Sequence, residues 1–132
     1  MTTSSPRRKI PAPEANPETS AYWAAAASGK LAIRECGHCG KLHHYPRALC
    51  PFCFRPATGW REVSGRGKIY AYSVMRRAET PYAIAYVTLD EGVTLLTNLI
   101  DCDFDRLRIG QEVKLVFQDS EGGPPVPMFT PG

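Results

Sequence analysis

Four of the chain's five cysteines form two Cys-x-x-Cys pairs, Cys36 with Cys39 and Cys50 with Cys53, separated by ten residues in CGHCGKLHHYPRALCPFC. Such a pair can hold one ion from a single tight turn, and Gly37 and Gly40 let backbone N–H groups fold around the sulfurs. Two turns of this kind complete a four-thiolate tetrahedron, the shell of a structural zinc. The interval is shorter than the roughly fifteen to twenty residues of the commonest paired pattern, which predicts a compact ribbon of two knuckles and a short hairpin. Four thiolates leave no position for water or substrate, so zinc here supplies folding energy and not Lewis-acid chemistry. A pair of disulfides would need an oxidising compartment; no apolar secretory segment precedes the cysteines, so the expectation is a reducing cytoplasm. Thioredoxin-type redox use needs a helix opening after a strand, whereas Pro51 lies in a turn rich in proline and aromatics.

The other residues able to do chemistry do not assemble into a catalytic set. His38 sits between two ligands and is forced outward; His43 and His44, in the hairpin, read as surface histidines, either able to replace a displaced cysteine. Tyr45, Pro46, Phe52 and Phe54 are expected to pack around the metal and keep it dry. Cys102 stands in Asp-Cys-Asp at a strand end, where neighbouring carboxylates raise its pKa and blunt a thiolate, so it reads as a small packing residue. Asp90, Glu91, Asp101, Asp103 and Asp105 fall at turn positions and read as solvated turn formers. Gly-x-Ser-x-Gly, His-Glu-x-x-His and the phosphate-cradling Gly-x-x-x-x-Gly-Lys-Ser/Thr are all missing from the sequence.

A chain of 132 residues, 43% hydrophobic, can build one modest core with a metal staple for the rest. It has no apolar run long enough to cross a bilayer. With 16 basic residues against 13 acidic ones, the net charge of +3 is too small to force a nucleic-acid reading. Twelve prolines and eleven glycines argue for many turns and short strands.

The elements that must position the cysteines follow in order. Residues 1–16, with prolines at 6, 11, 13 and 17 about them, predict a flexible arm whose basic trio Arg7, Arg8 and Lys9 is solvated. Asn16 is placed to cap a helix from Pro17 to Ser28, with Glu18 facing the positive dipole end and Gly29 as the stop. That helix is too short to stand alone and must dock, on its own ribbon or on another subunit; Trp23 is the anchor in either case. Residues 31–33 read as a strand into the first knuckle. Beyond Gly67 the pattern is β-rich. Residues 68–77 alternate Ile69, Ala71, Ser73 and Met75 against Tyr70, Tyr72 and Val74; residues 82–90, 93–100, 111–120 and 126–129 follow as strands. Asp-Glu-Gly at 90–92 makes a hairpin, and residues 103–110 a short helical turn. These features predict a mainly β chain: helix and zinc ribbon over 17–60, then a small Greek-key barrel of the OB type over 61–132, closed to remove its edges.

The order of features resembles the DUF35 family. The resemblance is carried by the helix with its aromatic-Trp pair, the Cys-x-x-Cys-Gly ribbon, Gly59-Trp60, Ser64-Gly65-x-Gly67 with Tyr70 and Tyr72, Pro81, the Leu-Asp-Glu-Gly hairpin, Ile109-Gly110-x-x-Val113 and Pro127-x-Phe129. It implies a rubredoxin-like zinc ribbon joined to an OB-fold, often acyl-CoA-associated. It also implies an accessory subunit of a thiolase-like enzyme, a side-chain aldolase or a ketoacyl enzyme, with the nucleophile and acid/base groups in the partner. Related domains accompany MaoC-like hydratases.

Two functions of different class follow. In the first, ribbon and helix dock the acyl-CoA enzyme while the barrel covers or lengthens its channel; Arg61, Arg66, Lys68, Arg76 and Arg77 are then the candidate contacts to CoA phosphates. In the second, the same basic residues with Tyr70 and Tyr72 bind single-stranded nucleic acid. A third and weaker reading puts iron in the thiolate shell as an electron carrier. Small net charge and full-length resemblance favour the first.

Overall fold

The computed structural model describes residues 6–56 and 59–132. The first five residues of the expected arm, and Ala57 and Thr58 of the turn ahead of Trp60, lie outside the described residues. Helix α1 (Ser20–Ala27) leads into a three-stranded sheet of order β2-β1-β3, made of β1 (Ala32–Glu35), β2 (Leu42–His43) and β3 (Gly59–Glu62). A closed barrel of order β4-β5-β6-β8-β7 follows, from β4 (Arg66–Met75), β5 (Tyr82–Leu89), β6 (Thr94–Leu99), β7 (Glu112–Gln118) and β8 (Val126–Pro131). A single 3-10 turn, Phe104–Arg106, separates β6 from β7. No helix among the described residues is long and apolar enough to cross a membrane.

Helix α1 begins later than its sequence suggests. Asn16 and Thr19 exchange side-chain-to-backbone hydrogen bonds, both at 3.0 Å, and so hold a separate turn ahead of the helix. Glu18 leaves the dipole and accepts the Ala48 N–H of the ribbon hairpin. The stop at Gly29 is as expected. Its φ of 77° lets its N–H reach Ala26 O while Lys30 N–H returns to Ala25 O, satisfying carbonyls that the helix end leaves open. Tyr22 and Ala26, four positions apart, are the buried face, and Trp23 packs beside them on the chain's own core.

Ribbon and barrel share that core. Leu31 and Ile33 of the ribbon sheet join Ile69, Val87, Leu99 and Phe129 of the barrel in one cluster. Each side chain withdrawn in this way contributes about 1.5–3 kcal/mol. Strand β3 pairs with β1 from Glu35↔Gly59 to Ala32↔Glu62, and Val63 N–H then donates to Leu31 O. The chain thus runs straight from ribbon sheet into barrel across residue 60.

Two glycines permit the tight start of β4. A Cβ on Gly65, at φ +78°, would stand 2.7 Å from Leu115 Cβ, and one on Gly67 would stand 2.6 Å from Thr88 O. Only a residue without a side chain lets the strands approach this closely. The alternation expected along β4 breaks at a β-bulge between Ile69 and Ala71. Tyr70 is the extra residue, and beyond it the facing inverts: Tyr72 pairs with buried Ala85 and Val74 with buried Ala83, while Ala71 and Ser73 turn outward.

From Pro6 onward the arm makes contacts that a solvated tail would not. Arg7 binds Asp101 at 2.8 and 2.5 Å, Arg8 lies 3.6 Å over the Tyr82 ring, and Gln118 Nε2 donates to Arg8 O. Ile10 is buried with Ile100 and Met128, and Pro11 bridges to Glu121. One apolar side chain with an exposed barrel patch to cover is enough to lay this segment down.

Candidate metal centre and exposed apolar face

The two knuckles repeat one hydrogen-bond pattern. Gly40 N–H returns to Cys36 O and Phe54 N–H to Cys50 O at 2.9 Å each, while Cys36 N–H reaches Lys41 O and Cys50 N–H reaches Arg55 O. This winding requires positive φ at the fourth residue after each first cysteine, 74° at Gly40 and 63° at Phe54. It aims the N–H groups of His38 and Cys39 at Cys36 Sγ, and that of Phe52 at Cys50 Sγ, at 3.4–3.5 Å. The Cys39 N–H, above all, pulls the Cys36 thiol down to about 6.

The four sulfurs lie within 4.8 Å of one another, with Cys36 and Cys53 at 3.6 Å and Cys39 and Cys50 at 3.7 Å. A zinc–sulfur bond of about 2.3 Å in a tetrahedron sets sulfurs about 3.8 Å apart, so the cluster is of a size to close on one zinc ion. Cys36 and Cys50 are buried, and the shell is closed by four thiolates.

The aromatics do not shield it in the way their positions suggest. Tyr45, Phe52 and Phe54 are exposed, because turning N–H groups inward to the sulfurs turns the knuckle side chains out; only Pro46 is buried. His38 is exposed as expected. His43 and His44 are not surface histidines. His43 is buried on β2, and His44 packs tilted against Tyr22 and edge-on to Tyr45, at 5.4 and 5.3 Å between ring centres. Burial, reinforced by His43, pulls His44 down to about 4. Cys102 is buried, and burial more than the flanking Asp101 and Asp103 pushes its thiol up to about 11.

The candidate phosphate contacts are dispersed. Arg61, on β3, pairs with Glu35, and Arg76 pairs with Asp105 at 2.8 Å. Arg66 and Lys68 project from the start of β4, whereas Arg76 and Arg77 follow its other end, about 30 Å away along a ten-residue strand.

An apolar face that sequence alone did not mark lies on the barrel exterior. Ala71, Ser73 and Ile84 line a hollow of about 180 Å³ whose rim carries Tyr86 and Leu96, both about half exposed. The same Tyr86 and Leu96 border a groove of about 400 Å³ walled by Tyr22, Trp23, His44 and Tyr45. The alternating pattern of β5 and β6 did contain the signal: Tyr86 and Leu96 stand at outward positions where polar residues are usual.

Comparison with known proteins gives this architecture a family. Residues 23–59 match the ChsH2 rubredoxin-like zinc ribbon domain and residues 60–118 the ChsH2 C-terminal OB-fold domain. A "DUF35 domain-containing scaffold protein" of Methanothermobacter thermautotrophicus is 35% identical, over 64% of this chain and 68% of its own length. The chain belongs to the DUF35 family. A solved "Ltp2-ChsH2(DUF35) aldolase" superposes with a TM-score of 0.80 at 32% identity, covering 90% of this chain and 98% of that one. The "Probable enoyl-CoA hydratase alpha subunit" of Thermomonospora curvata is 32% identical across 99% of this chain, which spans 43% of that protein's length. The "Benzoylsuccinyl-CoA thiolase subunit BbsA" of Geobacter metallireducens is 31% identical over 61% of this chain and 56% of its own length.

Proposed function

We propose that this chain is a non-catalytic accessory subunit of a thiolase-like acyl-CoA enzyme, docking its partner and helping to shape the acyl-CoA site. One observation carries the reading: with the metal shell closed by its own thiolates, the chain leaves an apolar face open at the surface around Tyr86 and Leu96. The described residues hold no paired nucleophile and base. Cys102, the thiol outside the metal shell, is buried with its pKa raised, which is the reverse of an activated nucleophile. The names of its relatives, which include a scaffold protein, a thiolase subunit and an aldolase complex, support the same class. Arg61, Arg66, Lys68, Arg76 and Arg77 remain the candidates for CoA phosphates. Of these, Arg66 and Lys68 are exposed two positions apart on one strand and so project together.

Affinity purification from the native host tests the reading. An acyl-CoA enzyme of the thiolase class is expected to co-purify, with thioester chemistry in the complex and none in the isolated chain. Leu96→Arg, a surface change that leaves zinc content and folding intact, is expected to abolish co-purification. Thioester cleavage by the pure chain, lost in Cys102→Ala, would overturn the assignment. So would tight, salt-sensitive binding of single-stranded DNA with no such enzyme recovered.

A further inference from the structure

The barrel closes between β6 and β8 through one parallel pair, Leu99↔Phe129, with Ile100 N–H donating to Phe129 O at 3.0 Å. Toward the N-termini of both strands the next residue of β8 on that side is Pro127, two positions before Phe129. Proline has no N–H to give, so the ladder stops. The strands part, and the groove of about 400 Å³ opens between residues 94–98 of β6 and residues 126–127 of β8, with α1 and the ribbon hairpin as its other wall.

Strand β6 pairs with β5 along its whole length, which uses only one of its edges. The Leu89 N–H to Val93 O bond of the hairpin sets the phase of that ladder. Leu95, Thr97 and Leu99 therefore turn their backbone groups to β5, and Thr94, Leu96 and Asn98 turn theirs the other way; Asn98 meets Phe129 in the parallel pair, which leaves Thr94 and Leu96 facing the groove. An edge of about four residues, roughly 13 Å long, can take a second strand. The Leu99↔Phe129 pair marks where an inserted strand stops, and beside it Asn98 Oδ1 accepts from the Arg8 guanidinium at 3.2 Å.

We propose that this groove is a strand-addition site that takes an extended, uncharged segment of the catalytic partner, its backbone pairing with Thr94 and Leu96. The inference rests on the accessory-subunit reading and deepens it. Open backbone donors and acceptors select a peptide, since only another backbone satisfies them in register. The walls select its side chains. None of the residues lining the groove is Asp, Glu, Lys or Arg, and the Arg8 guanidinium at its closed end is already held by Asn98 and the Tyr82 ring, so the walls favour an uncharged segment.

Amide hydrogen exchange on the zinc-loaded full chain, alone and with the acyl-CoA enzyme that co-purifies with it, tests this. The Thr94 and Leu96 amides are expected to exchange rapidly in the free chain and at least tenfold more slowly in the complex, with Leu95 and Thr97 little changed. Leu96→Pro, which deletes one groove-facing N–H, is expected to weaken the complex at least tenfold more than Leu96→Ala; exchange on the unaltered chain stands if the proline variant fails to fold. A complex whose Thr94 and Leu96 amides stay as fast as in the free chain would overturn strand addition while leaving docking in place. Failure of any such enzyme to co-purify removes both readings. Protection of the same amides by octanoyl-CoA alone would make the groove an acyl channel and overturn the proposal.

Discussion

Tyr72 donates its phenolic O–H to the backbone carbonyl of Leu107 at 2.8 Å, tying the inverted half of β4 to the loop that follows the 3-10 turn. A ring read from sequence as a stacking platform for bases is thereby engaged in holding the barrel's end. Tyr72→Phe keeps the ring and strands the carbonyl, and is expected to cost about 1 kcal/mol by urea denaturation. An unchanged midpoint would show that water replaces the bond.

Elemental analysis is expected to return one zinc per chain. Protons compete with zinc for the thiolates, so metal release should increase as pH falls, and a chelator should lower the melting temperature. Cys36→Ser and Cys50→Ser, at the two buried ligands, should each lose the metal and the cooperative transition. A metal-free chain with unchanged melting would refute the structural role.

His44 gives stability a pH dependence of definite sign. Its folded pKa of about 4 lies below the ordinary value of 6.5, so the unfolded chain binds the proton more readily. The histidine's contribution is complete above pH 6.5 and is lost as pH falls through about 4, a change of roughly 3 kcal/mol. In excess zinc, His44→Phe should show a shallower loss across that window than the unaltered chain. Equal slopes would mean that His44 titrates normally.

The arm offers a comparison between apolar burial and an exposed ion pair. Ile10→Ala is expected to cost about 2 kcal/mol and to free the segment for proteolysis, because Ile100 and Met128 lose their cover. Arg7→Ala removes a pair whose side chains are each 40% exposed, and should cost about 1 kcal/mol or less. A larger loss for Arg7 would reverse this assignment of what holds the arm.

Much of the fold was legible because its signals are local. Cysteine spacing carries the knuckles, Gly29 ends the helix, the Asp-Glu-Gly turn joins β5 to β6, and each barrel strand lies within a few residues of its alternating pattern. The β2 strand went unread, since two residues are too few to show a period.

What tertiary structure alone decided depends on pairing between distant residues. The bulge at Tyr70 is set by register against Val87 and Tyr86, and one extra residue inverts every side chain after it. His43 and His44 sit in a polar-looking hairpin, yet His43 is buried on β2 and Tyr22 of α1 packs on His44. Ile10 is an isolated apolar residue in a proline-rich arm until Met128, 118 positions later, gives it a surface to cover. Pro127 reads as an ordinary strand proline; only barrel closure places its missing N–H opposite β6 and so opens the groove. Spacing and turn chemistry belong to the chain itself, whereas facing, burial and free edges belong to the strands and side chains that the fold brings alongside.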